Sequence, residues 1–349
     1  MKTIKIKFVD MYNWFENEEP LLLKEIQSCG YPVEISDQPD YLFCSVFGHE
    51  ALKPQYDSCI KILWDAECHC PDFALYDYAI NCEPLEIGDR YLRYPIMFLN
   101  SSRDEVMMRE ALSKGTDITT DLAEKTEFCS FVYSNNLTAD PVRKEFFKAL
   151  NMKKRVNAGG RFLNNIGMPD GVPDKLLFQR KHKFVIAFEN ASHPGYTTEK
   201  LLDAFAAHAV PIYWGDPLVK EVFNEKSFIC AYDYPTTEAL IQRVLEVDGN
   251  DALYKQMLAE PAFLHPEEYM PELWQERITA FLKHIFDQPK EDAFRRCRYA
   301  SSKGYLEEMR HAFYPTPIKD AGREVVQAVK SLVPVNVKLR VKNHLEMKR

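Results

Sequence analysis

Short, nearly all-apolar runs alternate with amphipathic stretches along most of the chain. TIKIKFVD (3–10) alternates charged and apolar residues and predicts a strand. YLFCSVFG (41–48), IKILWD (60–65) and YDYAINC (76–82) are apolar almost throughout, as in strands of a parallel sheet covered on both faces. Glu16 to Ser28 places Leu21, Leu22 and Ile26 on one side of a helix, and Ser101 to Ser113 predicts a second. TDITTDLAEKTE (116–127) is polar and weakly periodic, and predicts a linker. The alternation then restarts. FCSFVYSN (128–135), RVNAGG, KFVIAF, VPIYWG and SFICAY (227–232) predict strands. Helices are predicted after Pro141, around Lys175 to Arg180, from Thr197, around Thr237–Val247 and over Glu272–Phe286.

Two successive series of strand–helix units predict an α/β protein with two Rossmann-like domains facing a cleft. The expected limits are 1–120 and 121–290, with 291–349 forming C-terminal helices and a basic tail able to pack back on the first domain.

Composition narrows the function. The 349 residues are 46% apolar and 28% charged, which supports sizeable cores and excludes a disordered chain. A net charge of −8 excludes nucleic acid as the expected partner, but not a local positive pocket for one small anion. No run reaches the ~18 apolar residues of a membrane span. The first residues lack a signal-peptide core, and the nine cysteines show no framework spacing, so a reducing cytoplasm is expected. The sequons at Asn100, Asn136 and Asn190 are then chance matches. Cys68-His69-Cys70 has no second Cys/His pair at zinc spacing, and no metal site is expected. The tail VPVNVKLRVKNHLEMKR is basic; it is either a solvated extension or a peripheral contact with anionic lipid on the inner face of a membrane.

The chemistry concentrates in FENASHPGYTTEK (188–200), between a buried strand and a helix. Thr197 is a natural N-cap, which puts Glu199 and Lys200 in the first helical turn. A lysine there opposes the helix dipole by about 0.3–1 kcal/mol, and makes sense if an anion sits at the helix start. Glu199 suits sugar hydroxyls, Asn190 offers donors and an acceptor, and Tyr196 offers a flat face with a polar tip. Taken singly, each has an ordinary structural role: a solvated lysine, a dipole-satisfying glutamate, a core tyrosine. Together they describe a nucleotide site.

FENASHPGYTTEKLLDAFAAHAVPIYWG (188–215) closely resembles the donor-binding signature of α-1,3-fucosyltransferases, and weaker likeness runs from KILWDAE to about residue 232. The resemblance implies the two-Rossmann, GT-B-type glycosyltransferase architecture, GDP-fucose as co-substrate, and no cofactor. It implies that Asn190, Tyr196 and Lys200 contact the diphosphate or ribose, and Glu199 the ribose hydroxyls or fucose. Arg161, in GGRFLNN, stands near the family's phosphate-binding arginine; its alternative is a surface residue.

A departing diphosphate needs cations, and the acceptor hydroxyl needs a general base in a single inverting displacement. The resemblance picks Glu67, after Leu63-Trp64-Asp65-Ala66, with Asp65 as the rival carboxylate. Trp14, Trp64 and His69 are candidates for the acceptor surface, with core packing the alternative for Trp14. The expected acceptor is an N-acetyllactosamine-type glycan fucosylated in α-1,3 linkage. Another sugar nucleotide, an α-1,4 linkage or a non-catalytic sugar-nucleotide-binding scaffold are the alternatives. Fixed cations are expected to replace a divalent ion, since no Asp-x-Asp pair occurs in the sequence.

Overall fold

A computed structural model describes residues 2–13, 15–17, 19–98, 102–134, 137–297 and 300–314. The expectations for Trp14, for the sequons at Asn100 and Asn136 and for the basic tail lie outside the described residues.

The strands form two separate sheets, both parallel throughout. The first contains β1 (Ile4–Val9), β2 (Val33–Ile35), β3 (Tyr41–Cys44), β4 (Ile60–Trp64), β5 (Tyr78–Asn81) and β6 (Tyr91–Arg93), in the order β2-β1-β3-β4-β5-β6. The second contains β7 (Glu127–Phe131), β8 (Val156–Ala158), β9 (His182–Phe188), β10 (Val210–Trp214) and β11 (Ile229–Cys230), in the order β11-β10-β9-β7-β8. Each sheet reverses direction once, between β1 and β3 and between β7 and β9. Those are the topological switch points where open α/β sheets bind ligands, beyond the carboxyl ends of the strands.

The apolar strand runs are explained by helices on both faces of the second sheet. Along β9, Phe184, Ile186 and Phe188 enter one core with the helices Pro141–Lys153 and Thr237–Gly249. Val185 and Ala187 enter the opposite core with the helix Glu199–Ala206. Successive strand residues face opposite sides, so a strand buried on both must be apolar at every position.

Two helices cross between the expected domains. Met107, Met108 and Ala111, from Ser102–Leu112, pack in the second sheet's core. Trp274, Ile278, Leu282, Ile285 and Phe286, from Pro271–Asp287, complete the first sheet's core instead. Packing therefore changes hands before residue 102 and again before 271, not at 120 and 290. The segment Ala300–Phe313 also lies against the first unit, where Arg310 Nε donates to Leu52 O at 2.7 Å.

The predicted linker is not one. Ile118–Glu124 is a helix, capped by Asp117, whose carboxylate accepts the Thr120 N–H. Its buried Asp121 pairs with His208 Nδ1 at 2.6 Å. Just before it, buried Lys114 donates to the carbonyls of Met257, Leu258 and Glu260, closing the carboxyl end of the helix Asp251–Ala259. The polar residues that weakened the helical pattern are these caps and pairs.

Candidate active site

β4 leaves the first sheet at Trp64, and the next three residues form a tight turn. Asp65 is fully buried, and its Oδ1 accepts the Glu67 N–H at 2.9 Å. Asn81, at the end of the neighbouring β5, donates to Asp65 Oδ2 at 3.1 Å. Burial pushes the Asp65 carboxyl up to about 7. The rival carboxylate thus points inward, and Glu67 is presented at the edge. Glu67 is half-buried; burial raises its pKa, while Lys200 and His69 pull it back. His69 stays at the surface, with Nδ1 3.8 Å from Asp65 Oδ2. Trp64 does not reach the surface. It shares the face of Ile60 and Ile62, and lies in the first sheet's core rather than on an acceptor platform.

The second sheet supplies the facing wall. β9 ends at Phe188, and the next residue, Glu189, is fully buried. Its carboxylate accepts the Thr198 N–H at 2.9 Å, the Thr198 hydroxyl at 2.7 Å and Lys200 Nζ at 3.0 Å. Thr198, not Thr197, is therefore the N-cap of the helix Glu199–Ala206. Glu189 fixes it there, while the Thr197 hydroxyl donates to Asp216 Oδ2 at 3.0 Å. Gly215 is required beside this carboxylate, because a Cβ there would lie 2.3 Å from Glu189 Cγ.

Lys200 already has partners within the protein, since Glu199 Oε1 lies 3.5 Å from Nζ as well. Burial opposes its charge, but Glu189 and Glu199 outweigh it and hold its pKa above the usual lysine value. Burial likewise disfavours the Glu199 carboxylate, yet Lys200 and Lys175 bring it down to about 2. The first-turn lysine that signals an anion site is thus set in a ring of opposite charge before any ligand arrives.

A second cation sits deeper. Arg143, in the first turn of Pro141–Lys153, is 1% exposed, and its guanidinium stacks 4.3 Å above the Tyr133 ring. It donates to Asn190 Oδ1 at 2.5 Å, while its Nε has no partner among the described residues. With Oδ1 engaged, the Asn190 amide is left to offer its NH2 elsewhere. Tyr133 accepts the Phe188 N–H at 2.8 Å and donates to Ile186 O at 2.9 Å, so β7 and β9 are clasped where the sheet reverses. Arg161 lies exposed in the loop after β8. Gly160 presses that loop onto the segment leaving β7, since a Cβ would come 2.0 Å from Tyr133 O. The arginine beside the FEN turn is therefore Arg143. Sequence reasoning missed it, although a cation in a first helical turn is the same signal that exposed Lys200.

The two walls touch. Tyr196 is buried, its ring packed with Cys82 and Ile96 of the first unit, so the flat face expected for a ligand is covered. Its hydroxyl lies 3.5 Å from Glu67 Oε2. His193 Nε2 lies 2.5 Å from Glu83 Oε1. The switch point between β7 and β9, the start of the helix Glu199–Ala206 and Glu67 thus border one gap. Among the described residues, no three His, Cys, Asp or Glu side chains come together as a metal cluster.

Comparison with known proteins agrees with this arrangement. Residues 122–277 match the family described as glycosyltransferase family 10 (fucosyltransferase), C-term, and residues 6–100 match the alpha-(1,3)-fucosyltransferase FucT N-terminal domain. The chain belongs to the α-1,3-fucosyltransferase family. The first span holds Arg143, Arg161 and the whole turn from Glu189 to Lys200; the second holds Asp65 and Glu67. An alpha-(1,3)-fucosyltransferase FucT from Helicobacter pylori is 30% identical over 313 residues, covering 79% of this chain and 65% of that protein. The chain thus spans just under two thirds of that relative's length. A crystal structure of an alpha1,3-fucosyltransferase superposes with a TM-score of 0.68 at 28% identity, covering 82% of this chain and 90% of that one. A crystal structure of an alpha1,3-fucosyltransferase with GDP-fucose gives 0.64 at 27%, with 82% and 90% covered. Membership in this family fits the two sheets, their shared cleft and the carboxylate facing a cation-lined strand edge.

Proposed function

We propose that the chain transfers L-fucose with inversion from GDP-β-L-fucose to a hydroxyl of an N-acetyllactosamine-type glycan, in α-1,3 linkage. One observation carries this reading: Glu67 of one unit and the Tyr196–Lys200 segment of the other border the same gap, with Tyr196 Oη 3.5 Å from Glu67 Oε2. The relative solved with GDP-fucose supports the donor.

The residues divide the chemistry. Glu67 takes the proton from the acceptor hydroxyl, whose oxygen attacks the anomeric carbon as the bond to the diphosphate breaks. Positive charge at the second wall stabilises the leaving diphosphate: Arg143 at the strand edge, Lys200 at the helix start, and the backbone N–H groups of that helix. Arg161, exposed in the loop after β8, is proposed to add to this charge only when the donor is bound. Glu199, ionised and half-buried, accepts hydrogen bonds from sugar hydroxyls. These fixed cations perform the charge neutralisation that a divalent ion gives other enzymes, and the reaction proceeds without added metal.

The test is GDP release from GDP-fucose, with and without an acceptor disaccharide and with EDTA, followed by NMR assignment of the product linkage. Acceptor-dependent, chelator-resistant release that is abolished in Glu67→Gln is expected. Binding without turnover across an acceptor panel supports the scaffold instead, and rescue of an EDTA-treated enzyme by manganese overturns metal independence. An α-1,4 product corrects the linkage alone.

A further inference from the structure

The structure assigns Asp65 and Asn81 as a buried clamp that positions the general base, an inference that rests on Glu67 being that base. Asp65 is the carboxylate most easily mistaken for the base itself, because it sits two residues away at the end of the same strand. Its geometry excludes contact with the acceptor. The residue is fully buried, and both oxygens are engaged: Oδ1 with the Glu67 N–H at 2.9 Å, Oδ2 with Asn81 Nδ2 at 3.1 Å. What it does instead is fold Asp65-Ala66-Glu67 into a turn closed by a side-chain acceptor, the local device by which aspartate sets the direction of the residue two positions on.

Asn81 extends the clamp in two directions. It is also fully buried, and its Nδ2 lies 3.4 Å from Asp65 O and 3.3 Å from His69 O, so a single amide spans both ends of the loop that carries Glu67. Its Oδ1 accepts the Glu83 N–H at 2.8 Å. Glu83 in turn holds His193 of the facing wall, Nε2 to Oε1 at 2.5 Å. One asparagine thus ties the backbone of the base loop to the residue that grips the donor turn. The clamp sets the distance between Glu67 and the donor, and a displacement of about 1 Å at a reacting group is enough to cost on the order of a hundredfold in rate.

The pattern of donors and acceptors is directional, and that permits a sharp test. Asp65 must accept twice, while Asn81 must donate to it. In Asp65→Asn one amide NH2 meets another and the contact fails. In Asn81→Asp two carboxylates meet. The double variant Asp65→Asn/Asn81→Asp restores one donor and one acceptor between the two side chains and still leaves an oxygen for the Glu67 N–H. Like Asn81→Asp, however, it loses the amide donation to the Asp65 and His69 carbonyls.

Transfer kinetics and GDP binding stoichiometry are measured on the full chain for Asp65→Ala, both single exchanges, the double exchange and Glu67→Gln. Expected is a fall in kcat of roughly ten- to a hundredfold in Asp65→Ala, normalised to GDP-binding sites, with the KM for GDP-fucose changed less than about threefold. The double exchange recovers at least several-fold over Asn81→Asp, which lacks the same donations to the two carbonyls. A kcat within twofold of wild type in Asp65→Ala overturns the clamp, as does a double exchange that binds GDP fully yet is no faster than Asn81→Asp. Should Asp65→Ala not fold, the exchange series carries the test alone. The parent reading fails separately: turnover retained in Glu67→Gln removes the base, and loss in Asp65→Asn beside it makes Asp65 the base and overturns both.

Discussion

His193 Nε2 lies 2.5 Å from Glu83 Oε1, and this contact joins the donor turn to the first sheet's carboxyl edge. Tyr196, three residues on, is buried against Cys82 and Ile96, so polar and apolar contacts close the gap together. Removing either member of the pair is expected to loosen the closed arrangement more than the fold. His193→Ala and Glu83→Ala should each raise the KM for GDP-fucose several-fold. Because Glu83 is buried, the melting temperature should fall more in His193→Ala, which leaves the carboxylate without this partner, than in Glu83→Ala. Equal kinetics in the variants and wild type, measured over a donor titration, would show that the contact does not govern closure.

The pH dependence follows from the setting of Glu67. Burial raises its pKa above the ordinary carboxylate value, and Lys200 and His69 oppose the rise. A base must be ionised to act, so the acid limb of kcat should fall at a pH above that of an exposed glutamate. His69→Ala removes one opposing charge and should move that limb to still higher pH, leaving the plateau rate intact. A limb that stays in place across kcat profiles of the two proteins contradicts the electrostatic role of His69.

Glu189 organises the facing wall from beneath. Its side chain is fully buried and receives Thr198 and Lys200 together. Glu189→Ala removes the nearer of two carboxylates from Lys200, which keeps Glu199 at 3.5 Å, and the acceptor of two Thr198 donors, a change that typically costs about 1–3 kcal/mol. We expect a melting temperature lower by several degrees and weaker GDP binding, both read by calorimetry. Glu189→Gln keeps one acceptor oxygen and should lie between the two. Wild-type GDP affinity in Glu189→Ala would mean that Lys200 needs no such support.

Much of this architecture was legible from hydrophobic pattern, and the failures have specific physical causes. The long apolar strands β4 and β9 stand out because both of their faces are covered. β2 (Val33–Ile35) and β6 (Tyr91–Arg93) are three residues long and lie at the sheet edges, too short for alternation to register. Domain limits placed by chain order missed the two helices that cross, since nothing in a helix's apolar stripe says which sheet it will cover. Trp64 misled because an aromatic at a strand end suggests a sugar platform, whereas the period of two had already assigned it to the face of Ile60 and Ile62. At the site, the signature turn was legible as a dense cluster of polar and charged groups between a buried strand and a helix. Its internal pairing was not, because Glu189 reads as one more strand-end residue until the helix start folds back onto it.

Gly195 shows how closely the walls are pressed. Its φ of +81° is in the left-handed region, and a Cβ would sit 2.6 Å from the Cys82 carbonyl oxygen across the gap. Any side chain at this position therefore meets two penalties: backbone strain of about 1 kcal/mol or more, and a collision with main-chain atoms that have no rotamer to escape into. The collision exists only when the two units are together, so Gly195→Ala should disfavour closure beyond what strain alone costs. The expected result is a drop in kcat/KM of at least tenfold, with GDP bound to the isolated donor wall less affected than turnover. Small-angle scattering should show a more open average shape in the variant. A variant as active and as compact as wild type would mean that the turn relaxes away from Cys82 without consequence, and that the gap between the sheets is set elsewhere.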